Sequence, residues 1–128
     1  MVKPVEHLIA AYDDPTGVNA AFNLNLLGRI NRELHGNFDL RRFEHLIRYA
    51  PDAQRIEMHL RSRVDQTVRV KKARLVVDFA MGETIWTESC HKFHPEQICE
   101  MARTAGFHLE AQWVDQEWPF AESLLVAV

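Results

Sequence analysis

Apolar residues recur at helical spacing in the first third of the chain and at alternate positions further on. Pro4 is suited to start a short helix through about Ala11, because a first-turn residue needs no backbone N–H. After a turn, a longer helix is predicted over Val18–Leu34. Its apolar stripe has helical spacing and comprises Val18, Phe22, Leu26, Leu27, Ile30 and Leu34. Gly36 follows at the position of a left-handed C-terminal cap.

The next segment is predicted to be helical as well, because Asp39 is a good N-cap and Pro51 ends the pattern. The apolar face of this helix would comprise Leu40, Phe43, Leu46 and Ile47. From residue 55 onward the period changes from 3.6 to 2, which predicts strands. The first strand has an apolar face formed by Ile56, Met58, Leu60 and Val64, and residues 67–70, 75–79 and 85–93 continue as an antiparallel meander.

A last helix is predicted from Pro95 to Gly106, with an apolar stripe formed by Ile98, Met101, Ala102 and Ala105. Two strands follow at 107–114 and 120–128, joined by a turn over residues 115–119. The predicted fold class is therefore α+β: N-terminal helices, an antiparallel β-meander, then a helix and a β-hairpin.

Length and composition agree with one ordinary globular domain. The chain has 128 residues, of which 47% are hydrophobic and 26% charged. A net charge of −3 argues against a nucleic-acid partner. No apolar run approaches the roughly 20 residues of a membrane span. With no secretory signal visible and two cysteines, we expect a cytoplasmic protein with reduced thiols and no membrane partner.

The segment at residues 83–93 carries the most informative chemistry, because Glu88 lies within a predicted strand. Trp86 and Cys90 are expected on the same strand face as Glu88, which suits a paired carboxylate or a recognition acceptor. The alternative is a glutamate that faces solvent. Met58 on the earlier strand fits either a core position or a pocket wall.

Metal and phosphate chemistry are both disfavoured by spacing. Cys90, His91, His94 and Cys99 match no common zinc pattern, and adjacent strand residues point to opposite faces. The same geometry argues against a Cys–His nucleophilic pair. No Gly-rich loop for a cofactor is present, since every glycine is isolated, at Gly17, Gly28, Gly36, Gly82 and Gly106.

Three segments together resemble a known family. Residues 12–27, the strand Ile-Glu-Met-His-Leu at 56–60, and Gly-Glu-Thr-Ile-Trp-Thr-Glu at 82–88 are similar to the C-terminal part of the S-adenosylmethionine-dependent histidine-specific methyltransferases. That family includes the L-histidine Nα-methyltransferase of ergothioneine biosynthesis. The resemblance extends from about Ala11 to Val128.

The resemblance implies a substrate site on the strand that contains Glu88. In the family the matching glutamate accepts a hydrogen bond from the substrate imidazole, and a hydroxyl two residues later assists it. Cys90 stands at that second position here, and a thiol is a weaker donor than a hydroxyl. Met58 matches a methionine of the pocket wall.

Further site residues are implied at the N-terminal helices. Tyr12 matches a tyrosine whose hydroxyl contacts the substrate carboxylate. Asn19 stands where the family often has a threonine near the substrate, and a helix-cap or first-turn role fits it equally well. Phe22 is expected to be a core residue first and a pocket wall second.

The resemblance also implies a division of labour along the chain. Residues 1–94 correspond to a substrate-binding-type α+β domain, and residues 95–128 to a helix and two strands that would complete the methyltransferase sheet. The donor-binding Rossmann half has no counterpart, so we expect this chain to bind no S-adenosylmethionine and to lack activity alone.

The expected function is therefore the acceptor-binding portion of a histidine-specific methyltransferase. The alternatives are a stand-alone binding domain for an imidazole or amino-acid ligand, and a remnant that serves protein association. Expected partners are a small amino acid such as histidine and a second copy of the chain docked through residues 95–128. A separate donor-half chain is the other possible partner.

Overall fold

A computed structural model describes residues 1–115 and 117–128. Within these residues the helices are α1 (Val5–Tyr12), α2 (Val18–Leu34) and α3 (Pro95–Thr104). The strands are β1 (Phe43–Ala50), β2 (Arg55–Ser62), β3 (Gln66–Val70), β4 (Leu75–Phe79), β5 (Thr84–His91), β6 (Phe107–Asp115) and β7 (Phe120–Ala127). The strands form antiparallel sheets in the orders β1-β2-β5, β3-β4 and β6-β7. The predicted α+β class is confirmed.

Strand β2 is the centre of the main sheet, with β1 on one edge and β5 on the other. Its side chains alternate, and one face is almost completely buried, namely Ile56, Met58, Leu60 and Ser62. Helices α1 and α2 pack on this face. The apolar pattern of residues 55–62 thus correctly predicted both the strand and its buried side.

Helix α2 links the main sheet to the β3-β4 hairpin through one core cluster. Leu27, 1% exposed, is the contribution of α2 to this cluster. The other buried members come from β1 to β4, namely Phe43, Leu60, Val68, Val70 and Phe79. The rings of Phe43 and Phe79 meet edge to face with centroids 5.5 Å apart, a favourable aromatic geometry.

The helix predicted after Asp39 is wrong. The Asp39 carboxylate does accept the backbone N–H of Arg41, but it caps only a 3₁₀ turn over Leu40–Arg42. Strand β1 then pairs with β2 along its whole length, from Phe43↔Ser62 to Ala50↔Arg55. The apolar residues of this segment fit a strand period of 2 as well as a helical period. Pairing with β2 and burial of alternate residues against the helices select the strand.

The single meander predicted from residue 55 onward also needs correction. β3 and β4 form a separate hairpin between β2 and β5, and β5 returns to pair directly with β2. At the end of α2 the left-handed residue is His35, with φ +53°, rather than Gly36. Gly36 is needed for space, because a Cβ there would lie 2.8 Å from Oδ1 of Asn31.

The face of α2 that packs inward is narrower than the predicted stripe. Leu27 and the polar Asn23 are buried, whereas Phe22 is 67% exposed. The prediction that Phe22 is primarily a core residue is therefore wrong. Val18 and Leu34 are exposed as well, because α2 contacts the sheet along one row of residues only.

The C-terminal part consists of α3 packed on the β6-β7 hairpin. Both strands lie close to their predicted bounds. The predicted turn at residues 115–119 includes Gln116, which lies outside the described residues. In the part of the chain that is described, no helix has the length and apolar character needed to cross a membrane.

The burial of Leu27 leads to a stability prediction. Replacing Leu27 by Ala should lower the free energy of unfolding by about 3 kcal/mol, because a fully buried leucine leaves a cavity in the core. Leu34→Ala on the same helix is the matched control, since Leu34 is 40% exposed, and it should cost less than about 1 kcal/mol. Urea denaturation monitored by circular dichroism measures both values, and equal losses would contradict this packing.

Candidate functional site

A β-bulge in β5 determines which side chains share a face with Glu88. Met58 of β2 is the partner of Glu88, and the next residue, His59, is the partner of Trp86, so the register shifts at Thr87. Paired residues of an antiparallel sheet point to the same side. Glu88 therefore lies on the helix-covered face with Met58, and Trp86 lies on the opposite face.

The expectation that Trp86 shares the face of Glu88 is thus wrong. The indole stacks on His59, with ring centroids 6.0 Å apart, and the Arg55 guanidinium lies 4.5 Å from the indole centroid. Glu57 joins this group by accepting hydrogen bonds from Arg55 at 2.7 Å and from the Nε2–H of His59 at 3.1 Å. Because of the bulge, this polar network lies on the sheet face opposite Glu88 and takes no part in the helix-covered face.

On the helix-covered face, Glu88 lines a cavity of about 220 Å³ between β5 and α2. This volume is below the range of about 300–1,000 Å³ for drug-sized ligands and suits a small molecule. The other lining residues are Phe22, Asn23, Asn25, Leu26, Arg29 and Thr87. Thr87 is held by a hydrogen bond from its hydroxyl to the Met58 carbonyl, 2.9 Å long.

A second group of side chains lies two residues further along the same strand face. Lys92 donates a hydrogen bond of 2.5 Å to the Tyr12 hydroxyl and approaches the Cys90 sulfur at 3.0 Å. The Lys92 ammonium also lies 4.5 Å from the centroid of the Tyr12 ring. This group, which we call the Tyr12–Cys90–Lys92 cluster, joins the end of α1 to the end of β5.

The cluster changes the acidity of its members. Burial would raise the pKa of the Cys90 thiol, but hydrogen bonds with Lys92 and Tyr12 outweigh burial and hold the pKa below its ordinary value. Burial would likewise lower the pKa of Lys92, and the contacts with Cys90 and Tyr12 raise it instead. Burial and the Cys90 contact raise the pKa of Tyr12. Lys92 is therefore cationic at neutral pH.

Tyr12 is positioned by a buried hydrogen-bond relay. Asn23 Nδ2 donates to the His59 carbonyl at 3.2 Å and contacts Nδ1 of His45 at 3.0 Å. Since an amide NH2 can only donate, Nδ1 of His45 accepts and its Nε2–H donates to the Tyr12 carbonyl, 3.0 Å away. The relay ties the end of α1 to α2 and to the main sheet.

Asn19 lies in the turn that leads into α2, where its side chain is already engaged. Its Nδ2 donates to the Ala11 carbonyl at 3.2 Å and to Asp14 at 2.9 Å. The Asp14 carboxylate also accepts the backbone N–H groups of Val18 and Asn19. Hydrogen bonds from Thr16 and from these backbone groups hold the pKa of Asp14 well below its usual range. Asn19 thus shapes the turn that follows Tyr12.

The structure brings most of the expected site residues to one sheet face. Glu88, Cys90 and the buried Met58 are neighbours on β5 and β2, with Phe22 opposite Glu88 and Tyr12 beside Cys90. The sequence did not indicate Arg29, Thr87 or Lys92. Lys92 could have been found by continuing the alternation of Glu88 and Cys90 by two residues, whereas Thr87 depends on the bulge.

The Lys92–Cys90 contact leads to a prediction about pH dependence. Lys92→Met removes the ammonium that stabilises the thiolate, so the apparent pKa for alkylation of Cys90 by iodoacetamide should rise. Reactivity at neutral pH should fall accordingly. Rates measured between pH 6 and 10 by peptide mass spectrometry test this. Lys72→Met, at an exposed lysine of the β3-β4 turn, is the control and should leave the profile unchanged. An unchanged profile in Lys92→Met would contradict the contact.

Comparison with known proteins gives a consistent result. A family model described as "Histidine-specific methyltransferase, SAM-dependent" matches residues 1–127. A histidine N-alpha-methyltransferase of Mycolicibacterium smegmatis is 46% identical over 126 residues, 98% of this chain and 39% of that protein. A protein of the same name from Mycobacterium tuberculosis is 44% identical over 124 residues, 97% of this chain and 39% of the relative. The chain therefore spans about two fifths of the length of these relatives. It belongs to the family of SAM-dependent histidine-specific methyltransferases.

Proposed function

We propose that this chain is the acceptor-binding portion of a SAM-dependent histidine-specific Nα-methyltransferase, and that L-histidine is its ligand. The observation that carries the proposal is the pairing of Met58 with Glu88 on the face covered by α2. This pairing places the Glu88 carboxylate at the small cavity between β5 and α2. Both named relatives are histidine N-alpha-methyltransferases, which supports this choice of ligand.

The cavity has the chemistry to recognise an imidazole. A glutamate carboxylate can only accept hydrogen bonds, so Glu88 selects a ring that presents an N–H. Phe22 on α2 lines the same cavity as Glu88 and offers an aromatic surface. The buried and polarisable Met58 is the partner of Glu88 on β2. A carboxylate that pairs with a ligand N–H in a partly enclosed site rejects analogues without that donor, because its oxygens would then stay unpaired.

The residues of this chain do not fit an S-adenosylmethionine site. A donor site of the dinucleotide-binding kind needs a Gly-rich loop between a parallel strand and a helix. The glycines here are isolated, and those with positive φ lie where an added Cβ would meet no atom within 4 Å, at Gly17, Gly82 and Gly106. The named sheets of the described residues are antiparallel. We therefore propose that the isolated chain does not transfer a methyl group.

The reaction and pathway that we propose for the complete enzyme are inferred from the family. A complete enzyme would methylate the α-amine of histidine with S-adenosylmethionine. The family resemblance places such an enzyme in ergothioneine biosynthesis, in the cytoplasm. In this chain, the contribution to that reaction would be to hold and orient the acceptor, since the donor must come from another polypeptide segment.

Calorimetry provides the direct test of the acceptor proposal. L-Histidine should bind the isolated chain weakly, and Glu88→Gln should reduce its affinity by at least about tenfold because the mutant amide binds the ring N–H less strongly. S-Adenosylmethionine should give no saturable heat. Glu110→Gln, at an exposed glutamate of β6, is the control and should bind histidine like the native chain.

Two results would overturn the proposal. Equal histidine affinity in the native chain and Glu88→Gln would place the ligand elsewhere. Micromolar binding of S-adenosylmethionine would show that the chain contains a donor site after all.

We further propose that residues 95–128 are covered by a second copy of the chain. One face of the β6-β7 hairpin packs toward α3, and the other face carries a row of exposed apolar side chains, namely Trp113, Phe120, Leu124 and Val126. Burial of apolar surface is worth about 25 cal/mol per Å², so this face favours association. A separate donor-half chain is the alternative cover for the same face.

Light scattering tests this self-association. The native chain should be a dimer at tens of micromolar, because two apolar hairpin faces bury each other across a two-fold axis. Trp113→Glu should shift the chain to monomer without loss of helix content. Trp86→Glu, an exposed tryptophan on the main sheet, is the control and should remain dimeric. A monodisperse native monomer would contradict the dimer and leave a donor-half chain as the expected cover.

A further inference from the structure

The Tyr12–Cys90–Lys92 cluster contains a positive charge whose partners are both uncharged when protonated. Lys92 Nζ contacts the Tyr12 hydroxyl and the Cys90 sulfur. Among residues 1–115 and 117–128, the ion pairs involve other cations, and Lys92 takes part in none of them. A partly buried ammonium without a carboxylate is a site for an anionic ligand group.

The Lys92 ammonium lies at Cys90, two residues along the strand from Glu88. Glu88 and Cys90 are alternate residues on one strand face, about 7 Å apart along the backbone. Lys92 Nζ lies 3.0 Å from Cys90 Sγ, so the ammonium is one alternate strand position away from Glu88. One strand face thus presents a carboxylate and an ammonium at a separation suited to a single small zwitterion.

We propose that Lys92 anchors the carboxylate of the bound acceptor, so that the site takes free amino acids and discriminates against decarboxylated amines. This inference rests on the proposed acceptor-binding function and names a specificity-determining residue for it. A carboxylate at this position accepts from the Lys92 ammonium and from the Tyr12 hydroxyl together, and both are donors. The ring end of the same ligand then reaches toward Glu88.

Alkylation of Cys90 can test for a carboxylate-binding site next to Lys92 without the use of histidine as a ligand. Iodoacetate and iodoacetamide react alike: the thiolate forms a C–S bond to the CH2 carbon, and iodide leaves with the electron pair of the C–I bond. Only iodoacetate carries a carboxylate. Bound at Lys92, its carboxylate would hold the CH2 carbon close to the Cys90 sulfur. Because both reagents need the thiolate, the ratio of their rates cancels any change in thiol acidity.

The ratio of the iodoacetate rate to the iodoacetamide rate is measured at both cysteines by peptide mass spectrometry. Cys99 on α3 is the internal control, since its hydrogen bond goes to the Pro95 carbonyl and not to a cation. The ratio at Cys90 should exceed that at Cys99 by about fivefold, the effect of one ion pair near a protein surface. In Lys92→Met the excess should vanish, whereas Lys92→Arg should retain most of it.

Two results would overturn the carboxylate anchor. One is a ratio at Cys90 equal to that at Cys99 in the native chain, and the other is an excess that survives in Lys92→Met. A merely structural lysine would change both alkylation rates together and leave their ratio unchanged.

Protection by ligands separates this inference from the proposed function. L-Histidine should slow the reaction of Cys90 with iodoacetamide at lower concentrations than histamine, which lacks the carboxylate, and Lys92→Met should remove the difference. If the iodoacetate preference holds but histidine gives no protection, the carboxylate site stands and the proposed acceptor is wrong. Equal protection by histidine and histamine in the native chain would contradict the proposal that Lys92 makes the site prefer amino acids over amines.

Discussion

The pairing of β2 on both of its edges is the constraint on which the rest of the structure depends. Strand β2 carries a buried apolar face, and its backbone is satisfied by β1 on one side and β5 on the other. Because the register to β5 is defined by Met58↔Glu88, the strand that forms the core also determines where the site carboxylate points. A slip of one residue would move Glu88 to the opposite face. Core stability and site geometry are therefore set by the same set of hydrogen bonds.

Successive turns of helix α2 contribute side chains to the core and to the cavity. Leu27 packs between the main sheet and the β3-β4 hairpin, while Phe22 stays exposed as a wall of the cavity. Asn23 lies between them and begins the relay through His45 to the Tyr12 carbonyl. A buried asparagine is costly unless its hydrogen bonds are made. Here the amide donates to the His59 carbonyl on β2 and to His45 on β1. The polar residue in the core thus holds α1 at the edge of the site.

A carboxylate and an ammonium lie close to one face of β5 at the candidate site. Glu88 lines the cavity beside α2, and Lys92 is a cation that has no carboxylate partner in the described part of the chain. Cys90 contacts Lys92, and its thiol is made more acidic by Lys92 and Tyr12. This polarity is the basis of the proposed preference for a zwitterionic ligand. The β6-β7 hairpin differs from this site, because Trp113, Phe120, Leu124 and Val126 are exposed on its outer face. The two proposed interactions therefore involve separate surfaces.

The sequence by itself determined the α+β class, the bounds of α2 and the buried face of β2, because these follow from strong periodicity over many residues. It also indicated Glu88, Met58 and Tyr12 through a family resemblance. Tertiary structure alone decided that residues 43–50 form a strand, since their pattern fits both periods and only pairing with β2 selects one. It also decided that Trp86 and Glu88 face opposite sides, because the bulge at Thr87 arises from pairing with β2 and not from any local preference. The position of Lys92 against Tyr12 joins residues 80 positions apart, a contact that exists only once α1 and β5 pack together.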